Sequence, residues 1–316
     1  MKLSSVWVVL AIGLLSGCGD DESDGGTPNG NQSGVLSADV TSDFTVSGDV
    51  RLTKAITVAS GATLTIAAGT TIAASSDAGL IVKGALVAKG TADEPVVLRS
   101  ADGAGPGAWA GIAAAEGGSA TLDHTEIHEA AVAFRADPGS MFAIDHILID
   151  TSASLLVLGS DGTLAHGELH NLGADQSQPP VAIESASPTI SDTLIDQAND
   201  DVDIVVVNGA SSGPIFDHVE ITDCHCAFHF NAGSGILIKD SYIHGNEFGI
   251  MTMGSLETAV EGSNFENNGV NIGVCAGGSI EATGVYFDGA AYDDTCTGQG
   301  NTSPASAPVS GAGPRL

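Results

Sequence analysis

Apolar residues occur along the chain in short pulses separated by Gly, Asn, Asp and Ser, and no repeat has the 3.6-residue period of an amphipathic helix. One pulse recurs with polar flanks, first as LDHTEIH at 122–128 and next as IDHILID at 144–150. The apolar residues near the end of each copy, called the anchors, are Ile127, Ile149, Leu169, Ile195, Ile221, Ile243, Phe265 and Phe287. Successive anchors are 20 to 26 residues apart, most often 22. Such a period is typical of a solenoid, in which each repeat buries its apolar face against its neighbours.

Each repeat contains further pulses with the two-residue period of a β-strand. A second pulse follows the anchor, as in AVAF at 131–134, and a third opens the next copy, as in GILI at 235–238. Three short strands in each coil of about 22 residues predict an all-β protein, a parallel β-helix. Equivalent residues would stack about 4.8 Å apart, the strand spacing, so the anchors would form an interior aliphatic ladder.

The N-terminal part has a different sequence pattern, and this pattern resembles that of a known family. ITVASGATLTIAAGTTIAAS at 56–75, GLIVKGALVAKGTADEPVVLRS at 79–100 and PGAWAGIAAA at 106–115 follow one another. This order resembles the opening coils of bacterial right-handed parallel β-helix repeat proteins of the pectin-lyase-like fold, many of them surface lipoproteins. The resemblance covers roughly residues 36–296 and implies a right-handed parallel β-helix. It leaves the function open, because this fold hosts lyases, hydrolases, adhesins and spacers.

The first residues predict export. Residues 1–17 read as a signal peptide with an apolar stretch of about ten residues, too short to span a bilayer. LSGC at 15–18 resembles the bacterial lipobox, which implies acylation of Cys18 (a lipoprotein carrying palmitate-type chains). The following Gly19 favours, by the same resemblance, the outer membrane. We therefore expect a protein of the cell envelope, lipid-anchored at the outer membrane or cell surface.

Composition predicts three further segments in the rest of the chain. Residues 18–35 form a polar, Gly-rich stretch, predicted to be a disordered tether that begins at the lipidated cysteine. Residues 36–296 form one β-helix domain, and residues 297–316 are predicted to be a disordered tail.

The formal net charge is −30, with 39 acidic and 9 basic residues. Such a surface repels nucleic acid and anionic polysaccharide, so neither is expected as a partner. The expected partners are the membrane, through the lipid anchor, and a polysaccharide or a surface protein. We expect the protein to be a monomer.

The cysteines other than Cys18 form two pairs. Cys275 and Cys296 are 21 residues apart, about one coil, which places them on adjacent rungs and predicts a disulfide. Cys224 and Cys226 lie in CHCAFHF at 224–230. A local bridge, two buried thiols in a turn and a soft-metal site with His225 and His229 all remain open for them.

Polar residues form two further ladders. Three positions before the anchors stand His124, His146, His166, Asp192, His218 and Asp240, and one position after them stand His128, Asp150, His170, Asp196, Thr222, His244, Glu266 and Asp288. Stacked polar side chains satisfy turn amides where a β-helix bends, so we interpret the ladders as scaffolding without a cofactor. The alternative is that the first ladder holds a divalent cation or binds sugar hydroxyls.

The sequence therefore favours a non-catalytic surface, binding or structural module. The alternative is a carbohydrate-active enzyme, a polysaccharide hydrolase or lyase, with its site in the longer coils at 169–221. Its candidate residues are Asp196, Asp200, Asp201, Asp203, His170 and His218. A lyase is disfavoured because the only basic side chains among the repeats after Arg99, other than His, are Arg135 and Lys239, about five coils apart.

Overall fold

The computed structural model describes residues 34–170, 179–254, 256–275, 278–292, 296 and 299–316, and only the backbone of 197–200 and 299. The predicted signal peptide and Cys18 lie outside the described residues, as does the side chain of Asp200. Within the described part the chain is all-β, and none of it forms a helix that could cross a membrane.

The strands are short in the N-terminal coils and longer in the middle of the chain. In chain order they are β1 Val35–Leu36, β2 Phe44–Val46, β3 Asp49–Leu52, β4 Ile56–Val58, β5 Thr63–Ile66, β6 Thr71–Ala74, β7 Gly79–Val82, β8 Ala85–Lys89, β9 Val96–Ser100, β10 Trp109–Ala114, β11 Ser119–His128, β12 Ala130–Ala136, β13 Met141–Asp150, β14 Ser154–Leu158, β15 Gly162–His170, β16 Val181–Glu184, β17 Thr189–Asn208, β18 Ile215–Phe230, β19 Ile236–Lys239, β20 Tyr242–His244, β21 Phe248–Thr252, β22 Glu257–Glu261, β23 Asn264–Glu266, β24 Val270–Val274, β25 Ser279–Phe287 and β26 Gln299–Pro304.

Every pairing between these strands is parallel and joins one coil to the next, so the predicted parallel β-helix is confirmed. The coil formed by β11 and β12 shows the three faces. Residues 119–123 lie on face A, residues 125–128 on face B, and residues 130–136 on face C. The same three faces continue along the solenoid because each strand pairs with its equivalent in the neighbouring coils.

The anchors form the interior ladder of face B. Ile127 pairs with Ile149, which pairs with Leu169, and the row continues through Ile195 and Ile221. These anchors are at most 1% exposed, as are the next two in the chain, whereas Phe287 at the end of the row is partly buried. Each such side chain contributes about 1.5–3 kcal/mol when fully buried, which explains why the period of the sequence determines the period of the fold.

The corner between faces A and B is made by one residue in the left-handed region. That residue has φ between 44° and 56° in six coils, at His124, His146, His166, Asp192, His218 and Asp240. Gly262 and Gly284 occupy the corner in later coils, with φ of 54° and 65°. Asp, Asn and His tolerate this conformation better than other residues with a Cβ, so the corner backbone accounts for the residue types of the first polar ladder.

The end of the solenoid is closed by two features. A disulfide joins Cys275 and Cys296, whose Cα atoms are 4.3 Å apart. Strand β26 adds to β25 in parallel and covers the outer edge of face A in the last coil.

The tail does not behave as the predicted disordered segment. The side chain of Asn264 makes two hydrogen bonds with the backbone of Val309, accepting at 2.7 Å and donating at 2.9 Å. The backbone nitrogen of Gly313 donates to the carbonyl of Asp240 at 2.9 Å. The tail therefore runs back along face B beside its corner with face A, because its backbone groups find partners on successive coils. Low hydrophobicity alone does not reveal such contacts.

Candidate functional site

Face B carries the outward residues that flank each buried anchor, because side chains alternate along a strand. One row precedes the anchors and the other follows them: Glu126, Leu148, Glu168, Leu194, Glu220 and Tyr242, and His128, Asp150, His170, Asp196, Thr222 and His244. On face B, beside its corner with face A, lies a shallow groove of about 200 Å³ that spans the coils of β11, β13 and β15. It is lined by the loop at 91–95, by the three corner histidines and by Glu126, Leu148 and Glu168.

Three carboxylates lie on successive rungs here, two that line the groove and Asp150 beside it. Glu126 pairs with Leu148, and Leu148 pairs with Glu168, so the two glutamates are two rungs apart, about 10 Å between Cα atoms. Asp150 stands on the middle rung, two residues further along, which puts its Cα about 8 Å from each glutamate Cα. Carboxyl groups about 6.5–9.5 Å apart leave room for a water molecule between the acid and the base of an inverting glycosidase.

Each glutamate has a histidine beside it on the same strand. Nε2 of His128 lies 3.4 Å from Oε2 of Glu126, and Nε2 of His170 lies 3.4 Å from Oε2 of Glu168. Asp150 is paired in register with both histidines and accepts a hydrogen bond from the hydroxyl of Thr151 at 2.8 Å. The arrangement offers proton donors and acceptors on one partly exposed surface, three rungs long.

The corner histidines above the groove form a stack. The ring centroids of His124 and His146 are 4.3 Å apart, and those of His146 and His166 are 4.6 Å apart, with nearly parallel planes. Oδ1 of Asp123 is 2.7 Å from Nδ1 of His124, and Oδ1 of Asp145 is 3.1 Å and 2.7 Å from Nδ1 of His146 and His166. Carboxylates therefore contact the Nδ1 atoms of all three rings, which agrees with a scaffolding role for the first polar ladder. Donor groups close enough to share a cation occur here, and cation binding by the ladder stays a prediction.

The C-terminal half of the same ladder has different partners. Oδ1 of Asp217 is 2.6 Å from Nδ1 of His218, and Oδ2 is 2.8 Å from Nζ of Lys239. Burial of Asp217 opposes its ionisation, but the hydrogen bonds from Lys239 and His218 outweigh that effect and hold the pKa of Asp217 below its ordinary value. Lys239 is thus engaged in an ion pair, like Arg135, whose Nε is 3.2 Å from Oδ1 of Asp137.

Of the six residues proposed for an enzyme site in the longer coils, the five with described side chains are spread over different faces. Asp196 pairs with His170 on face B, His218 lies at the corner between faces A and B, and Asp203 lies on face C. Asp201 is exposed, and the side chain of Asp200 lies outside the described residues. The cause is the register shifts in β17, between Asp196 and Asn199 and between Asn199 and Asp203, which carry the chain around a corner.

Instead, Asp203 joins the histidines of the Cys-rich segment. Nδ1 of His225 is 2.8 Å from Oδ1 of Asp203, and Nδ1 of His229 is 2.6 Å from Oδ2. Burial of Asp203 opposes its ionisation, but the hydrogen bonds from His229 and His225 outweigh it, so the pKa of Asp203 lies below its ordinary value. Cys224 and Cys226 are buried thiols that are not joined by a disulfide. Of the alternatives left open by the sequence, this excludes the local bridge.

Glu126 and Glu168 were not among the candidates drawn from the sequence. Both stand one position before an anchor, so the repeat register could have identified them as outward residues of face B. Their proximity to Asp150 follows from the same register once three strands per coil are assigned. Asp203 carries no comparable signal, because its partners depend on the irregular part of β17.

Comparison with known proteins agrees with this architecture. Residues 34–140 match the family described as a pectate-lyase-like beta helix domain. The match covers the first coils of the parallel β-solenoid. No curated protein matches the sequence.

Similar solved structures include the catalytic domain of a GH87 alpha-1,3-glucanase in complex with nigerose, at 12% identity and a TM-score of 0.45, over 88% of this chain and 68% of that chain. Its D1069A variant with nigerose gives a TM-score of 0.44 at the same identity and coverage. Both neighbours are catalytic domains, whereas the sequence favoured a non-catalytic module, so that prediction is not carried forward. A likeness this distant describes a fold and assigns no activity to this chain.

Proposed function

We propose that the protein is a carbohydrate-active enzyme that hydrolyses glycosidic bonds of a neutral polysaccharide at the groove on face B. The observation that carries the proposal is the set of three carboxylates, Glu126, Asp150 and Glu168, on three successive rungs beside an open groove. Neighbouring members are about 8 Å apart at the Cα atoms and point outward from the same face. An inverting glycosidase needs its acid and base carboxyl groups about 6.5–9.5 Å apart.

The groove is suited to a sugar chain without charge. Leu148 gives its wall apolar surface for the face of a sugar ring. His128 and His170, beside Glu126 and Glu168, offer ring nitrogens to hydroxyl groups. A formal charge of −30 repels an anionic polymer, which favours a neutral glycan. Lys and Arg are absent from the residues that line the groove, so hydrolysis is favoured over a lyase reaction with a basic side chain as its base.

The two glutamates differ in their exposure to solvent. The side chain of Glu126 is 32% exposed and that of Glu168 is 53% exposed. We assign the less exposed Glu126 as the general acid, which gives its proton to the departing glycosidic oxygen. Asp150 is the general base, which takes a proton from the water that attacks the anomeric carbon. The products are two sugars, one with a new reducing end of inverted configuration.

The test uses the purified full-length chain and a panel of neutral α- and β-glucans, with release of reducing ends as the measurement. Glu126→Gln and Asp150→Asn should each lower the rate at least about 100-fold, the usual contribution of a general acid or base. Glu281→Gln, on the exposed side of face A, is the matched control and should keep full activity. Far-UV spectra and melting curves of all variants check that they fold alike.

Two results would overturn the proposal. One is the absence of hydrolysis across the panel by the wild-type chain. The other is hydrolysis that survives both substitutions in correctly folded protein. Nuclear magnetic resonance of the first product formed should show inversion at the anomeric carbon, and retention would remove Asp150 as the base.

A further inference from the structure

A second cluster of functional side chains lies on face C, away from the groove, where two coils meet. Asp203 comes from β17, and His225, Cys226 and His229 come from β18. One donor atom each of Asp203, Cys226 and His229 lie within 4.8 Å of one another. Carboxylate oxygen, thiolate sulfur and imidazole nitrogen together are the ligand types that Zn²⁺ prefers.

The backbone does not account for these residue types. The corner ladder has Asp and His because its residues adopt positive φ, but Asp203, His225, Cys226 and His229 do not. Nor does the cluster continue along face C as a ladder. Its in-register neighbours are Phe248 beside Cys226, and Val206 and Met251 on either side of His229. Side chains able to bind a metal are thus concentrated on one pair of rungs, and Oε2 of Glu247 in the next coil lies 3.6 Å from Nε2 of His225.

A register shift brings the carboxylate to this place. The pairing of β17 with β18 slips between Asn199 and Asp203, so that Asp203 stands directly opposite Cys226. Irregularities of this kind redirect a side chain and are common beside functional sites. Asp196 pairs with Thr222 before the shifts, an offset of 26 residues, and that offset would set Asp203 opposite His229 rather than Cys226.

Cys226 and Cys224 differ in their surroundings although they are two residues apart. Cys226 is 0% exposed and its thiol donates to the carbonyl oxygen of Phe228 at 3.1 Å. Burial raises the pKa of the Cys226 thiol well above its ordinary value, and the nearby carboxylate of Asp203 adds to this effect. The thiol of Cys224 contacts Oδ1 of Asn246 at 3.0 Å and packs within the core. Cys226 alone of the two is grouped with Asp203 and His229.

We propose that Asp203, Cys226 and His229 bind a divalent transition metal of the Zn²⁺ class, with His225 holding the carboxylate of Asp203 in position. The proposal is independent of the hydrolase activity, because the two sites lie on different faces. His225 keeps its contact with Oδ1 of Asp203, the outer hydrogen bond that commonly orients a metal ligand. The metal takes the place of the hydrogen bond between Nδ1 of His229 and Oδ2 of Asp203, and the thiol of Cys226 gives up its proton to solvent on binding.

Cobalt(II) is the probe, because a thiolate bound to it gives a sulfur-to-metal charge-transfer band in the near ultraviolet. The full-length chain, kept reduced and first dialysed against chelator, is titrated with Co²⁺. We expect the band to saturate at one Co²⁺ per chain and to be displaced by Zn²⁺. The corner histidines cannot produce this band, since they have no sulfur nearby among the groups placed to share a cation with them.

Variants distinguish this site from a hydrogen-bonded cluster that binds no metal. Cys226→Ser should abolish the band, and Asp203→Asn should weaken Co²⁺ binding at least tenfold. Cys224→Ser is the matched control and should keep the band at full intensity. The proposal is overturned if wild-type protein gives no band, if the band persists in Cys226→Ser, or if Cys224→Ser removes it equally from folded protein.

Discussion

Arg315 and Asp192 are 123 residues apart in the chain and form an ion pair joined at two points. Nε of Arg315 donates to Oδ1 of Asp192 at 2.6 Å, and Nη2 donates to Oδ2 at 2.8 Å. The carboxylate belongs to the corner ladder and is 8% exposed, whereas the arginine side chain is 61% exposed. The tail is thereby fixed to a coil in the middle of the solenoid, beyond its contacts with Asn264 and Asp240.

This ion pair predicts that acid releases the tail. The hydrogen bond from Arg315 lowers the pKa of Asp192 from its ordinary 3.8, and burial only partly opposes it. The folded pKa lies below the unfolded one, so the contribution to stability is fully present above pH 3.8 and is lost as the pH falls through the folded pKa. Hydrogen-exchange protection of the amides of Val309 and Gly313 should therefore drop as the pH falls from 3.8 through the folded pKa of Asp192.

Arg315→Ala should remove the same protection at neutral pH. Arg135→Ala is the matched control, because it deletes an arginine paired with Asp137 on a face that the tail does not contact. Protection that is equal in wild type and Arg315→Ala would show that the ion pair does not hold the tail.

The anchor ladder predicts a large loss of stability on truncation. Ile243 is fully buried between Ile221 and Phe265 of the adjacent coils. Ile243→Ala should lower the free energy of unfolding by about 3 kcal/mol, through lost burial and the cavity left behind. Ile81→Ala, at a side chain 38% exposed, should cost less than about 1 kcal/mol. Urea denaturation followed by circular dichroism measures both, and equal costs would contradict an interior position for Ile243.

The corner conformation predicts a ranking of substitutions at His146, where φ is 49°. His146→Asn should leave stability nearly unchanged, because Asn tolerates the left-handed region. His146→Val should cost about 1–2 kcal/mol, since its β-branched side chain crowds the backbone there. His128→Val is the control, in extended strand on face B. Melting temperatures that are the same for the Asn and Val variants of His146 would exclude backbone strain as the reason for the ladder.

The lipid anchor is a prediction from the sequence, and it needs its own test. Cys18→Ser should abolish incorporation of a labelled fatty acid and move the protein out of the membrane fraction. Cys224→Ser, a thiol buried in the β-helix, serves as the control and should keep the label. Labelling that is unchanged in Cys18→Ser would refute the lipobox assignment.

The sequence by itself determined the β-helix, its register and the residue types of its corners. Each coil packs only on its neighbours, so a local rule repeated about every 22 residues is enough to place Ile127 inside, His124 at a corner and Glu126 outside. Cys275 and Cys296 are 21 residues apart, close to the same period, and a disulfide joins them in the structure.

Only the tertiary structure decided the contacts that break this periodicity. The slip in β17 sets Asp203 among His225, Cys226 and His229, and no repeat spacing indicates where a strand will slip. The docking of the tail is equally hidden, because it depends on single hydrogen bonds and one ion pair between distant segments. Periodic burial fixes the solenoid from local sequence, whereas these contacts arise from pairings over long distances in the chain that leave no pattern in it.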